Sequence, residues 1–201
     1  MTVYKSTPYE NVSSGQWYKV TESIIMEHPL AEQEIVDIVL SSWDSIFDSS
    51  IGKHHFKIGK HIFPKPQIMG FLLHELITLE TATRYPSEWR GEKNPDDKDL
   101  VYIPDVQFSI EIKTSSNKNK IFGNRSYAQA AASNKKSKSG YYLAVNFEKF
   151  ENTRKNPTIL LIRFGWLDHS DWIGQKSQTG QQARLSIETY GKKFKTLYTE
   201  S

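Results

Sequence analysis

The sequence predicts an α/β domain with a central mixed β-sheet flanked by helices, and three observations carry that prediction. Apolar residues recur at helical spacing over 30–47 and again over 66–83. Three later segments, 99–113, 141–147 and 158–164, are short, apolar and strand-like. The order of helix and strand segments suits helices packed on a mixed sheet.

In chain order, residues 1–20 are polar with scattered aromatics and read as an irregular arm. The first helical stretch carries its stripe on Ile35, Ile38, Val39, Trp43 and Ile46. A basic, glycine-containing connection, 49–65, leads to the second stripe of Met69, Leu72, Leu73, Leu76 and Leu79. Residues 85–98 form a polar loop broken by Pro86, Gly91 and Pro95. The hairpin 99–113 follows, then a polar basic loop to Arg125 and an alanine-rich short helix over 126–134. Past a Lys/Ser/Gly turn come the strands Tyr141–Phe147 and Thr158–Phe164, then a short segment at 168–172. The tail, 174–201, is rich in glutamine and lysine with one apolar patch at Leu185–Ile187. One domain over 1–201 is expected, divided into an arm (1–28), a catalytic core (30–165) and a C-terminal DNA-contact or dimer region (166–201).

Composition narrows the class. A chain of 201 residues, 37% hydrophobic and 24% charged, is ordinary for a globular protein. A net charge of +3 is too small to imply nucleic acid, but the cations crowd into 113–138 and 192–195. With no cysteine, disulfides and thiolate metal sites are excluded, which suits a reducing compartment. No signal-like or membrane-spanning apolar run is present, and a cytoplasmic, soluble protein is expected.

The chemistry concentrates in Phe108-Ser-Ile-Glu-Ile-Lys113. Period-two alternation sends Glu111 and Lys113 to one face and Phe108, Ile110 and Ile112 to the other. Asp96-Asp97-Lys98 has the same acid–x–lysine spacing but reads as part of a polar loop. For a second carboxylate, Asp105 forms a Pro-Asp turn nucleus with Pro104, whereas Asp99 falls opposite Glu111 if the turn centres near 105. Opposed residues lie roughly 4.5–5.5 Å apart at Cβ, near enough to share one cation, so Asp99 is preferred. Two carboxylates and the Ile112 carbonyl suit Mg²⁺, and Lys113 can position a water or meet a developing oxyanion. The competing interpretation is an exposed, salt-bridging hairpin.

Flanking residues extend the site. Ser115, Ser116, Asn117, Lys118, Asn119, Lys120, Asn124, Arg125, Tyr127 and Gln129 are of the types that contact phosphates and base edges. Glu75 and Glu80 lie on the second helix; Glu75, next to the apolar stripe, could reach the metal or orient Lys113, with a structural salt bridge as the equal alternative, and the loop residue Glu92 is a weaker candidate of the same type. His54, His55 and His61 lack partners for zinc and fit a DNA or subunit surface, and Gln175, Gln178, Gln181 and Gln182 are of the type that reads adenine edges.

Lys98-Asp-Leu-Val-Tyr102 with Phe108–Ser115 resembles the PD-(D/E)xK nucleases, in particular type II restriction endonucleases. Phe63–Glu75 and Ile121–Gln129 resemble the ScaI-type family, so that the likeness covers roughly 55–147. The resemblance implies a restriction-endonuclease-like core in which Asp99 and Glu111 bind Mg²⁺ and Lys113 assists the attacking water. It further implies a homodimer cutting both strands of a palindromic duplex site, with a cognate DNA methyltransferase as genetic partner. The literal Pro104-Asp105 lies closer to Glu111 than the usual pattern has it. A structure-specific repair nuclease on the same core and a non-catalytic DNA-binding module are the alternatives. Residues 1–28 and the helix at 30–47 are the expected dimer contact.

Overall fold

Strand β5 (Gly140–Phe147) is buried along its whole length, and the fold is built on its two faces. A computed structural model describes residues 7–129, 137–150, 156–177 and 179–200. Among these, the central sheet runs β1 (Trp89–Gly91), β2 (Leu100–Tyr102), β3 (Ile110–Ser115), β5, β6 (Ile159–Leu167) and β9 (Phe194–Thr199), in that spatial order. Within this sheet only β3 and β5 pair in parallel, which makes it mixed. A smaller antiparallel sheet joins β4 (Phe122–Asn124), β8 (Gln182–Arg184) and β7 (Ile173–Gly174).

Helices α2 (Glu32–Asp48) and α3 (Pro66–Arg84) follow the two apolar stripes. Ile38, Val39, Trp43, Met69, Leu73 and Ile77 interlock with Ile110, Ile112, Leu143 and Val145 in the larger core. Burying such side chains stabilises the layer by about 1.5–3 kcal/mol each. Across the sheet, Ile121, Tyr127, Tyr142, Ala144, Trp172 and Leu185 form a second core beneath the small sheet. The outward side of α2 carries Gln33, Asp37, Asp44 and Asp48, while α3 leaves Ile68, Phe71 and Leu79 exposed.

Four segments differ from the sequence reading. Trp17–Met26, read largely as arm, is a helix (α1) packed on β6 and β9, with Thr21 and Ile25 buried. Trp89 turns part of the 85–98 loop into β1 by burying its indole against Tyr102. The polar tail supplies β7, β8, a short helix α4 (Ile187–Lys192) and the edge strand β9. Of the alanine-rich segment, Arg125–Ala128 form a 3-10 turn, and 130–136 lie outside the described residues.

His28, just beyond α1, holds the turn that leads into β3. Its Nε2 donates to the Phe108 carbonyl at 3.0 Å, and its Nδ1 accepts from the Leu30 N–H at 3.2 Å. The ring is caged by Trp89, Phe108, Tyr141 and Phe164. Burial pushes its pKa down to about 4, against the pull of the backbone acceptors. Because the folded pKa lies below the unfolded one, this contribution is complete above pH ~6.5 and lost as pH falls towards ~4. About 3 kcal/mol of stability should disappear over that window. Denaturant melts of His28→Phe should show a visibly shallower acid loss; an unaltered pH profile would refute the assignment.

Candidate active site

Register decides which side chains meet. The parallel pairing sets Glu111 beside Tyr142, Lys113 beside Ala144 and Ser115 beside Asn146, all on the face of the second core. Ile110 and Ile112 point into the helix-side core, as period-two alternation requires. Leu100 pairs with Ile110, a register that sets position 99 opposite 111. The connection is a 3-10 turn over Val106–Phe108, capped by Asp105, whose Oδ1 accepts from the Gln107 N–H at 3.0 Å. Asp105 thus serves the turn. Asp99 reaches β3: its Oδ2 accepts from the Ile112 N–H at 2.7 Å and lies 3.4 Å from His74 Nε2 on α3.

Glu111 is only 2% exposed. Its Oε1 accepts from Lys113 Nζ at 2.8 Å and from the Tyr127 hydroxyl, and its Oε2 lies 3.9 Å from Lys98 Nζ. Lys113 also approaches the Ile112 carbonyl at 3.3 Å and stands 4.7 Å from the centre of the Tyr127 ring. Burial alone would lower the Lys113 pKa, but the Glu111 carboxylate, Tyr127 and Asp99 hold it above the ordinary lysine range. Burial and Glu111 push the Tyr127 hydroxyl up to about 12 against the pull of Lys113, so it remains a donor. For His74, burial works downward and the Asp99 and Glu75 carboxylates win, raising its pKa.

Several residues escaped the sequence reading. Lys98, placed there in a polar loop, is 1% exposed, donates to the Ser137 carbonyl at 2.8 Å and lies 5.3 Å from the Tyr142 ring centre. Gly140, at φ +145°, gives it room: a Cβ there would sit 3.3 Å from Lys98 Nζ. Its neighbour Asp97 does belong to the loop, pairing with Arg90 at 2.7 Å and accepting from the Lys93 and Asn94 N–H groups. The one local signal for Lys98 is its place beside Asp99 at the mouth of an apolar strand. His74 and Lys138, whose Nζ lies 4.4 Å from the Tyr127 ring centre, gave none.

A cleft of about 980 Å³ opens beside His74 and Thr114; Asp99, Glu111 and Lys113 lie behind its lining rather than in it. Gln67, Phe71, His74 and Glu75 of α3 line one wall, and Thr114, Ser115, Ser116, Asn117 and Lys118 line the other. Glu75 reaches the cleft but pairs with His74 Nδ1 at 3.2 Å, and its link to Asp99 runs through that imidazole; it makes no ion pair with Lys113. Glu80 binds Arg84 and Ser41, a purely structural pairing. Tyr127, expected to face DNA, is instead 7% exposed under Glu111, because its ring packs against Trp172. Arg125 ties its turn to the Ser177 and Gly180 carbonyls at 3.2 and 3.4 Å. Asn124 and Gln129 are exposed. Of the tail glutamines, Gln182 lines the cleft, Gln175 accepts from the Gln182 N–H, and Gln178 lies outside the described residues.

The loop after β3 is held from below. Asn117 Oδ1 accepts from the Asn119 and Lys120 N–H groups. Buried Asn146 donates to the Asn117 and Lys120 carbonyls at 2.7 and 3.0 Å, and Arg163 donates to the Asn119 carbonyl and to Asn146 Oδ1, both at 2.9 Å. Tyr190 stacks under the guanidinium at 4.4 Å and bonds the Ile121 backbone. Asn117 and Lys118 thus line the cleft from a loop that is held in place from below.

A mixed six-stranded sheet flanked by helices is consistent with a core of restriction-endonuclease type. A model of the ScaI restriction endonuclease family matches residues 7–198. The type II restriction enzyme ScaI of Streptomyces caespitosus is 53% identical over 181 residues, covering 89% of this chain and 79% of that protein. The chain belongs to the ScaI restriction endonuclease family. No solved structure matches it.

Proposed function

We propose that the protein cuts both strands of duplex DNA at a short palindromic sequence, as a homodimer with one Mg²⁺-dependent centre per subunit. That it is a site-specific endonuclease of restriction type follows from its family, and type II restriction enzymes as a group need a divalent metal. The observation carrying the finer reading is one strand: Glu111 and Lys113 share a face at 2.8 Å, while Asp99 is bound to the N–H of Ile112 between them.

The donor set fits Mg²⁺. Asp99, Glu111 and the Ile112 carbonyl offer only hard oxygens, and among the described residues no three His, Cys, Asp or Glu side chains are arranged to hold a metal by themselves. Water and phosphate oxygens would complete the shell, which suits Mg²⁺ better than a metal needing a full protein cage. When bound, the ion would neutralise charge on the scissile phosphate and acidify a water. Lys113, held charged by its neighbours, orients the attacking water or meets the developing negative charge. Tyr127 and Lys98 keep Glu111 oriented, and Glu75 acts on Asp99 through His74.

Ser115, Ser116, Asn117, Lys118, Asn119 and Lys120 would meet the duplex, with Asn124, Arg125 and Gln129 further along. A two-fold protein matches a two-fold site and brings one centre to each strand. A host with this activity needs its own sites protected, hence a partner methyltransferase in the same cytoplasm. No helix among the described residues is long and apolar enough to cross a membrane.

Asp99→Asn tests the centre. Plasmid cleavage should fall at least ~10²-fold and Mn²⁺ affinity by calorimetry at least ~10-fold, with metal-free duplex binding retained. Full cutting by the variant would remove Asp99 from the site. Digestion of one long DNA to discrete fragments supports sequence specificity; cutting only at branches or nicks would not.

A further inference from the structure

We propose that the basic arm 49–65 is a second DNA-binding surface, gripping backbone phosphates of the duplex beyond the cleft. The proposal rests on reading the cleft as the DNA site. From Ser49 to His74 the chain carries four lysines and four histidines and no acid, an unusual run in a protein whose net charge is only +3.

Two short loops are built and aimed outward. Ile51 and Phe56 pair as an antiparallel bridge and Ile58 and Ile62 as a second bridge, with positive φ at Gly52, His55 and Gly59 closing the turns. Lys53, Lys57 and Lys60 are exposed on them. The base is fixed: Ile58 is 5% exposed in the main core, and the Phe63 ring meets Phe150 at 5.5 Å. Lys149, next to that pair of rings, lines the cleft, as do Pro66 and Gln67 where the arm enters α3. The arm therefore rises from the cleft's rim at the α3 wall, near Lys149 and across the cleft from Lys118, and extends positive charge beyond the cleft along the path of a bound duplex. DNA backbone is the partner that fits, because a lysine-rich surface without acids matches a regular line of phosphates. Such contacts position a protein without reading sequence.

The test compares the full-length parent with the Lys53→Gln/Lys57→Gln/Lys60→Gln variant, using fluorescence anisotropy on cognate and non-cognate duplexes without divalent metal. Circular dichroism melts of both proteins establish that the variant is folded. The slope of log affinity against log salt should become shallower by roughly 2–3 per protomer, at about 0.9 for each phosphate that a lysine no longer neutralises. Affinity should drop on both duplexes alike, and the loss should vanish on a duplex trimmed close to the site. A folded variant with the parental slope overturns the arm while leaving the cleft reading intact. If the parent itself shows no salt-dependent duplex binding, the cleft reading fails and takes the arm with it.

Discussion

Replacing Lys113 with methionine is expected to slow single-turnover cleavage about 10²–10⁴-fold while leaving duplex affinity within a few-fold of the parent. The ammonium sits 2.8 Å from Glu111 Oε1 and is raised above the ordinary lysine range by the acids around it. A positive charge so held can act on the attacking water or the developing oxyanion, and methionine keeps the volume without the charge. Folding should survive, because Lys98 at 3.9 Å and the Tyr127 hydroxyl still accompany the buried carboxylate. Arginine should not rescue, since a planar fork replaces a compact ammonium pressed against the Tyr127 ring. A cleavage rate within ten-fold of the parent would sink the role.

The second large effect is structural. Arg163→Leu should lower stability by about 2–4 kcal/mol, because the Asn119 carbonyl and Asn146 Oδ1 lose a buried charged donor together. For a chain of this size that corresponds to a melting temperature lower by roughly 5–15 °C. The damage should centre on the loop after β3, so discrimination between cognate and non-cognate duplexes should weaken along with stability. Lysine should restore only part, being unable to span two acceptors and stack on Tyr190 at once. A melting temperature within a degree of the parent would show that the anchor does not matter.

Helices α2 and α3 and strands β3, β5 and β6 were legible because each carries its own period: the stripe of Met69, Leu73 and Ile77, or the alternation of Ile110 and Ile112 with Glu111 and Lys113. Asp99, Glu111 and Lys113 could be read as a group because hairpin register follows from local turn placement. Residues whose partners lie far along the chain could not. Lys98 looks like a loop lysine until the Ser137 carbonyl and Tyr142 arrive over it. Strand β9 looks like polar tail until β6 supplies its ladder. Tyr127 reads as a DNA contact because nothing nearby in sequence says that Trp172 will cover it.

By itself, then, the sequence determined the α/β class, the core helices and strands, and the strand face carrying an acid and a lysine, all consequences of short-range periodicity. Tertiary structure alone decided that Lys98 is buried beside Glu111, that Tyr127 supports the strand from beneath, and that Asn146 and Arg163 hold the loop after β3. The physical reason is the same in each case. A polar side chain's role is set by which donor or acceptor faces it once water is excluded, and that partner comes from another part of the fold.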